Sequence, residues 1–178
     1  MRFLFLLVLT VLLLPLAAAQ DYRPKPGETV LKMEVEGRGN IFIRLNTREA
    51  PKTTAHILNL VRSGFYNGQR FHRVERTPKP YLVQTGDPGS KGGDLSGKGG
   101  SGARIPYEET GFNNDAGAVG LAHDMSDKNA GDSQFYMLLD RASFLNNNYT
   151  VFGRVVGGMD VLQKIQRGDR IVSISVIS

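Results

Sequence analysis

TVLKMEVEGRGNIFIRL, residues 29–45, carries the reading that decides the fold class. Leu31, Met33 and Val35 fall on one parity, against Val30, Lys32, Glu34 and Glu36 on the other. After Arg38-Gly39-Asn40, placed here as the turn, Ile41, Ile43 and Leu45 resume the alternation. A period of two with one apolar face predicts a β-hairpin half-buried against a core.

Working outward, Ala50-Pro51-Lys52-Thr53-Thr54 opens a helix, with proline near its first turn and Gly64 as its stop. Ala55, Ile57, Leu58, Leu60 and Val61 carry its helical spacing. Val74 and Tyr81–Gln84 read as strand pieces around the polar loop Glu75–Pro80, and residues 86–102 form a glycine-rich surface loop. Apolar stretches at Ala118–Ala122, Phe135–Leu139 and Val151–Val156 predict further strands. Met159–Gln166 predicts a short helix and Ile171–Ile177 a closing strand. Many strands with two helices point to a β-barrel or sandwich flanked by helices.

The other end of the chain has a different character. A positive charge at Arg2, an apolar run Phe3–Leu14 and the small residues Ala17-Ala18-Ala19 follow the order of a secretory signal. The apolar run is short for a membrane span. Residues 1–19 are therefore expected to be cleaved, with no stable membrane insertion afterwards. An exposed lead-in at 20–28 and one domain at 29–178 complete the expected organisation. There is no cysteine, so neither a disulfide nor a lipid-modified cysteine is available.

Composition and motifs exclude several functions. The 22 basic and 17 acidic residues are scattered, which argues against a nucleic-acid partner. Gly92–Gly99 approaches a phosphate-binding loop, but Gly99-Gly100 stands where a hydroxyl and a helix start are required. Asp124, Asp127, Asn129 and Asp132 miss the calcium-loop pattern, and His56, His72 and His123 lack metal-ligand spacing. No nucleophile elbow occurs. No metal or cofactor is expected.

What remains is a set of short motifs in order: Phe71-His72-Arg73, Gln84-Thr85-Gly86-Asp87, Ser133-Gln134-Phe135 and Val151-Phe152-Gly153. In these the chain resembles the cyclophilins, across blocks from about Val30 to Ile177. The resemblance implies a closed eight-stranded antiparallel barrel capped by two helices, with peptidyl-prolyl cis–trans isomerase activity in an outer groove. It implies that Arg73 and Gln84 are catalytic. It further implies that Gln134 contacts the substrate backbone or holds the arginine. Tyr81, Leu82, Tyr136, Phe144, Leu145 and Tyr149 match the wall of the proline pocket, and Ala122 and His123 a segment that meets substrate through its backbone.

The chain also departs from the family pattern. Residues 75–80 carry a three-residue expansion, Tyr81-Leu82 replace a phenylalanine-methionine pair, and Tyr136 stands where phenylalanine is common. His123 replaces asparagine, Phe144 tryptophan and Tyr149 histidine. Tyr81 and Tyr136 are expected to add two hydroxyls to the pocket. The expected partners are proline-containing polypeptides passing through the periplasm or a secretory route, and the protein is expected to act as a monomer. The competing reading is a binding module of the same fold with little turnover.

Overall fold

The computed structural model describes residues 22–177; the expected signal segment, 1–19, lies outside them. Eight antiparallel strands form one curled sheet: β1 (Val30–Val35), β2 (Gly39–Leu45), β3 (Arg73–Glu75), β4 (Leu82–Thr85), β5 (Ala118–Leu121), β6 (Phe135–Leu138), β7 (Val151–Gly157) and β8 (Ile171–Ile177). Their spatial order is β3-β4-β6-β5-β7-β2-β1-β8. Helix α1 (Pro51–Arg62) lies against β8, and α2 (Met159–Lys164) against β2.

The β1–β2 hairpin forms as its alternation predicts, burying Leu31, Met33, Val35, Ile41 and Ile43. Its turn, however, is Glu36-Gly37-Arg38 rather than Arg38-Gly39-Asn40. Gly37 takes a left-handed conformation, φ 66°, that closes a three-residue loop, so Gly39 already pairs with Val35. Phe42, on the opposite parity, is also buried because the lead-in folds back over it. The Tyr22 ring packs 6.1 Å from that of Phe42, and its hydroxyl donates to Glu28, which also accepts from Arg44. Residues 23 and 25–27 of the lead-in stay exposed.

Helix α1 has no side-chain cap of its own. The carboxylate of Glu108, far along the chain, instead accepts from the Lys52 and Thr53 amides at 2.9 and 2.8 Å, and from the Thr53 hydroxyl. A carboxylate there satisfies orphan donors and favours the positive end of the helix dipole. The helix buries Thr53, Thr54, Ile57 and Val61, while Ala55 faces outward.

The expected closed barrel is not what forms. The sheet is an open half-barrel whose edge strands, β3 and β8, share no ladder. Backbone joins the two edges only at one end, where Gln69 and Phe71 pair with Ile171 and Asp169 around the bridge Arg70–Arg170. Beyond it, β3 is only three residues long, and arginine side chains bridge the gap. Arg167 Nε donates to the His72 carbonyl, and Arg76 Nη2 to those of Gln163 and Ile165. These guanidinium groups satisfy the His72 carbonyl and carbonyls at the C-terminal end of α2.

The curled sheet has two apolar faces. The concave one, with Val83, Val119, Phe135, Met137 and Phe152, meets both helices in the main core. The convex one carries a smaller cluster around Leu82, Ala118, Tyr136, Leu138 and Val151.

Candidate active site

The pleat places alternate residues on opposite faces, and the strand register lines up those that matter. Arg73 pairs with Gln84 across β3–β4, Gln84 with Tyr136 across β4–β6, and Tyr136 with Gly120 across β6–β5. Four residues far apart in sequence thus form one transverse row on the convex face.

Above this row lies a cavity of about 390 Å³. Arg73, Tyr81, Leu82, Gln84, Ala122, His123, Tyr136, Phe144, Leu145 and Tyr149 line it, which brings together ten of the eleven sequence-derived positions. Gln134 instead lines an adjoining cavity of about 530 Å³, which shares Gln84, Ala122 and His123 with the first. The two cavities adjoin at these shared residues.

Arg73 is half-exposed and held from three sides. Its Nε donates to Glu75 at 2.8 Å, its Nη1 to Gln84 Oε1 at 3.3 Å, and its Nη2 lies 3.5 Å from the Tyr81 hydroxyl. Gln84 Nε2 donates to Gln134 Oε1 at 2.9 Å. Gln134 Nε2 in turn donates to the carbonyls of Gly97 and Gly99, at 2.8 and 2.7 Å. The chain of contacts therefore runs from the guanidinium to the glycine-rich loop. Gln134 spends its amide on protein partners, Gln84 among them.

Only one of the two added hydroxyls reaches the groove, that of Tyr81. The Tyr136 hydroxyl is buried and donates to Asn114 Oδ1 at 2.6 Å, while its ring lines the cavity. Burial pushes its pKa well above the ordinary tyrosine value, so the phenol stays neutral.

His72 is buried beneath Arg73, and burial holds its imidazole below the ordinary range despite the nearby Asp87 carboxylate. It packs rather than faces the groove. Phe144, 66% exposed, stands at the rim with its ring 5.6 Å from Tyr81. On the opposite side the His123 ring stacks on Tyr149 at 4.4 Å, and Tyr149 meets Tyr136 edge-on at 5.6 Å.

Sequence reasoning passed over Met125, Lys128 and Asn148, which also line the cavity, and over Glu75. A signal for Glu75 existed: two residues from Arg73 on one strand, it shares the same face. Met125, 89% exposed, was an apolar residue in an otherwise polar loop. Lys128 and Asn148 reach the cavity through loop geometry that no periodicity reports.

The family model described as "Cyclophilin type peptidyl-prolyl cis-trans isomerase/CLD" matches residues 30–176. The chain belongs to the cyclophilin family. This cyclophilin is 39% identical over 137 residues to a Brucella suis protein named "Probable peptidyl-prolyl cis-trans isomerase", covering 73% of this chain and 68% of that one. It is 34% identical over 141 residues to the Helicobacter pylori peptidyl-prolyl cis-trans isomerase, covering 77% and 80%. A solved cyclophilin-type isomerase from Cryptosporidium parvum superposes with a TM-score of 0.74 at 23% identity, over 85% of this chain and 98% of that one. At that identity the likeness speaks for the fold alone. The same Cryptosporidium protein was also solved in the presence of the dipeptide Ala-Pro. The family and its named relatives make this cyclophilin a peptidyl-prolyl cis–trans isomerase, not merely a binding module.

Among the described residues no helix is long and apolar enough to cross a membrane, and no three metal-ligating side chains cluster.

Proposed function

We propose that the isomerase turns over X–Pro bonds seated in the Arg73 cavity, and that its clients are exported polypeptides folding in the periplasm or a secretory route. The observation that carries the site assignment is the three-sided hold on Arg73 at the edge of an apolar cavity of amino-acid size.

Rotating an X–Pro amide means crossing a resonance barrier of about 18–20 kcal/mol, uncatalysed over tens to hundreds of seconds. No bond to the protein need form; the twisted amide has only to be bound better than the planar one. As the amide twists, the prolyl nitrogen loses conjugation and regains a lone pair. The Arg73 guanidinium, already oriented by Glu75 and Gln84, donates to that nitrogen without reorganising. Leu82, Leu145 and the rings of Tyr136 and Phe144 hold the proline ring, while Ala122 and His123 present backbone to the peptide. Gln84 keeps the guanidinium fork in place.

Two measurements test this. Titration with a short Ala-Pro peptide, followed by amide NMR signals, is expected to shift Arg73, Gln84, Ala122, Tyr136 and Tyr149. Shifts confined to another face would remove the cavity from the reaction. The export reading rests on the charged, apolar and small-residue order of residues 1–19. Protein recovered from the host's exported fraction is expected to begin within one or two residues of Gln20. A retained Met1 on membrane-bound protein overturns it.

A further inference from the structure

His123 does more in this groove than lend its backbone. Its Nδ1 lies 2.7 Å from the carbonyl oxygen of Asp124, and its Nε2 lies 2.8 Å from that of Asn148. Both neighbours are carbonyls, which only accept. A neutral imidazole carries one N–H, so one ring nitrogen would turn a lone pair toward an oxygen. Imidazolium carries two, and satisfies both.

The two carbonyls belong to the loops on either side of the groove mouth, 123–130 and 146–149. Lys128 spans the same gap, its ammonium donating to the Asn147 carbonyl at 2.7 Å; Asn147 itself sits in the left-handed region, φ 61°. Beneath His123 lies Tyr149, stacked at 4.4 Å and 25°, an arrangement that a cationic ring strengthens. Tyr149 in turn abuts Tyr136 on the cavity floor.

We propose that His123 is a positioning residue: as imidazolium it ties the two loops together and holds Tyr149 in the cavity wall, so that peptide binds most tightly when His123 is protonated. This rests on reading the Arg73 cavity as the peptide site. The charged and titratable groups around His123 are Asp124, Asp127 and Lys128 on its own loop, Arg104 paired with Asp127, Lys98 and Asp132 in the adjoining cavity, and Tyr149 and Tyr136 below it. Asp124 and Asp127 sit below the ordinary carboxylate range, the first through the hydroxyl and amide of Ser126, the second through the amide of Asn129 and the Arg104 guanidinium. Both therefore stay anionic from pH 5.5 upward. Of the side-chain types in this set, imidazole is the one whose charge ordinarily changes between about pH 5 and 8.

The test is the pH profile of KM and kcat for an X–Pro peptide between pH 5.5 and 8.5, for the wild type and for His123→Phe, which keeps a ring over Tyr149 but has no proton to lose. The wild-type KM is expected to rise about fivefold with pH, as befits one lost charged contact, while kcat changes less. The midpoint is expected to match the His123 ring titration seen by NMR, with the Asn148 and Tyr149 amide signals following it. In His123→Phe the KM is expected to be flat and near the wild-type high-pH value. A transition that persists in His123→Phe arises elsewhere in the chain and overturns the proposal. So does a flat wild-type KM. If the Asn148 and Tyr149 signals titrate even so, the fault lies in assigning this cavity to the peptide; if they too are flat, it lies in His123.

Discussion

The Tyr136 ring lies across Gly120, its cross-strand partner, so closely that a Cβ at Gly120 would stand 2.2 Å from the ring. A methyl there cannot be absorbed without moving the tyrosine, which its bond to Asn114 holds in place. Gly120→Ala is therefore expected to destabilise the fold by about 1–3 kcal/mol, the usual range for overpacking, and to lower kcat/KM by deforming the cavity floor. Tyr136→Phe separates the two effects. It keeps the ring but strands the Asn114 acceptor, at a cost of about 1 kcal/mol or roughly 2–4 °C in Tm, with kcat/KM near wild type. Thermal melts beside the isomerase assay check both; an active, fully stable Gly120→Ala would show that the floor is not set by this contact.

Gln134 touches Arg73 only through Gln84, so its expected effect on the reaction is indirect. Gln134→Ala removes the acceptor for Gln84 Nε2 and the donor for Gly97 and Gly99 together. Losing one net hydrogen bond's worth of positioning predicts a kcat/KM lowered roughly two- to twelvefold. Faster amide exchange is expected at residues 97–99. Unchanged exchange in the loop would contradict the relay.

Much of this was legible in the sequence, for physical reasons. The hairpin and the strands at 118–121, 135–138 and 171–177 show because each alternates or runs apolar between turn residues. The positions that turn out to line the cavity were picked out through motif order alone. Their assembly was not, since Arg73, Gln84, Tyr136 and Gly120 become neighbours only through a strand order that local periodicity never encodes. Closure of the sheet was misjudged for a related reason. Whether two edges meet depends on how far the whole sheet curls, which no local pattern reports. The hairpin turn was misplaced by two residues because Gly37 and Gly39 compete for one role, and only the backbone angles distinguish them.

His72 sets an expectation for stability against pH. Burial holds the folded imidazole below its ordinary value, so on acidification the unfolded chain takes up a proton first, near pH 6.5. Between that point and the lower folded value the unfolded state binds more protons, and stability rises with pH. The contribution is complete above about pH 6.5 and is lost as pH falls through the folded value. Melting temperatures from pH 7 to pH 5 are expected to fall more steeply for the wild type than for His72→Gln. Parallel curves would assign the slope to other groups.

The central claim is that Arg73 lowers the rotational barrier, and the isomerisation rate of Arg73 variants measures it most directly. The arginine is half-exposed and its pairing with Glu75 is a surface contact, so its loss is expected to leave Tm nearly unchanged. Removing one preorganised donor predicts a kcat/KM lower by roughly 10²–10³ for Arg73→Ala. Arg73→Lys is expected to lose most of the activity too, because a point ammonium cannot keep the contacts to Glu75 and Gln84 while addressing the prolyl nitrogen. A folded Arg73→Ala protein that retains more than half the wild-type rate would contradict the account.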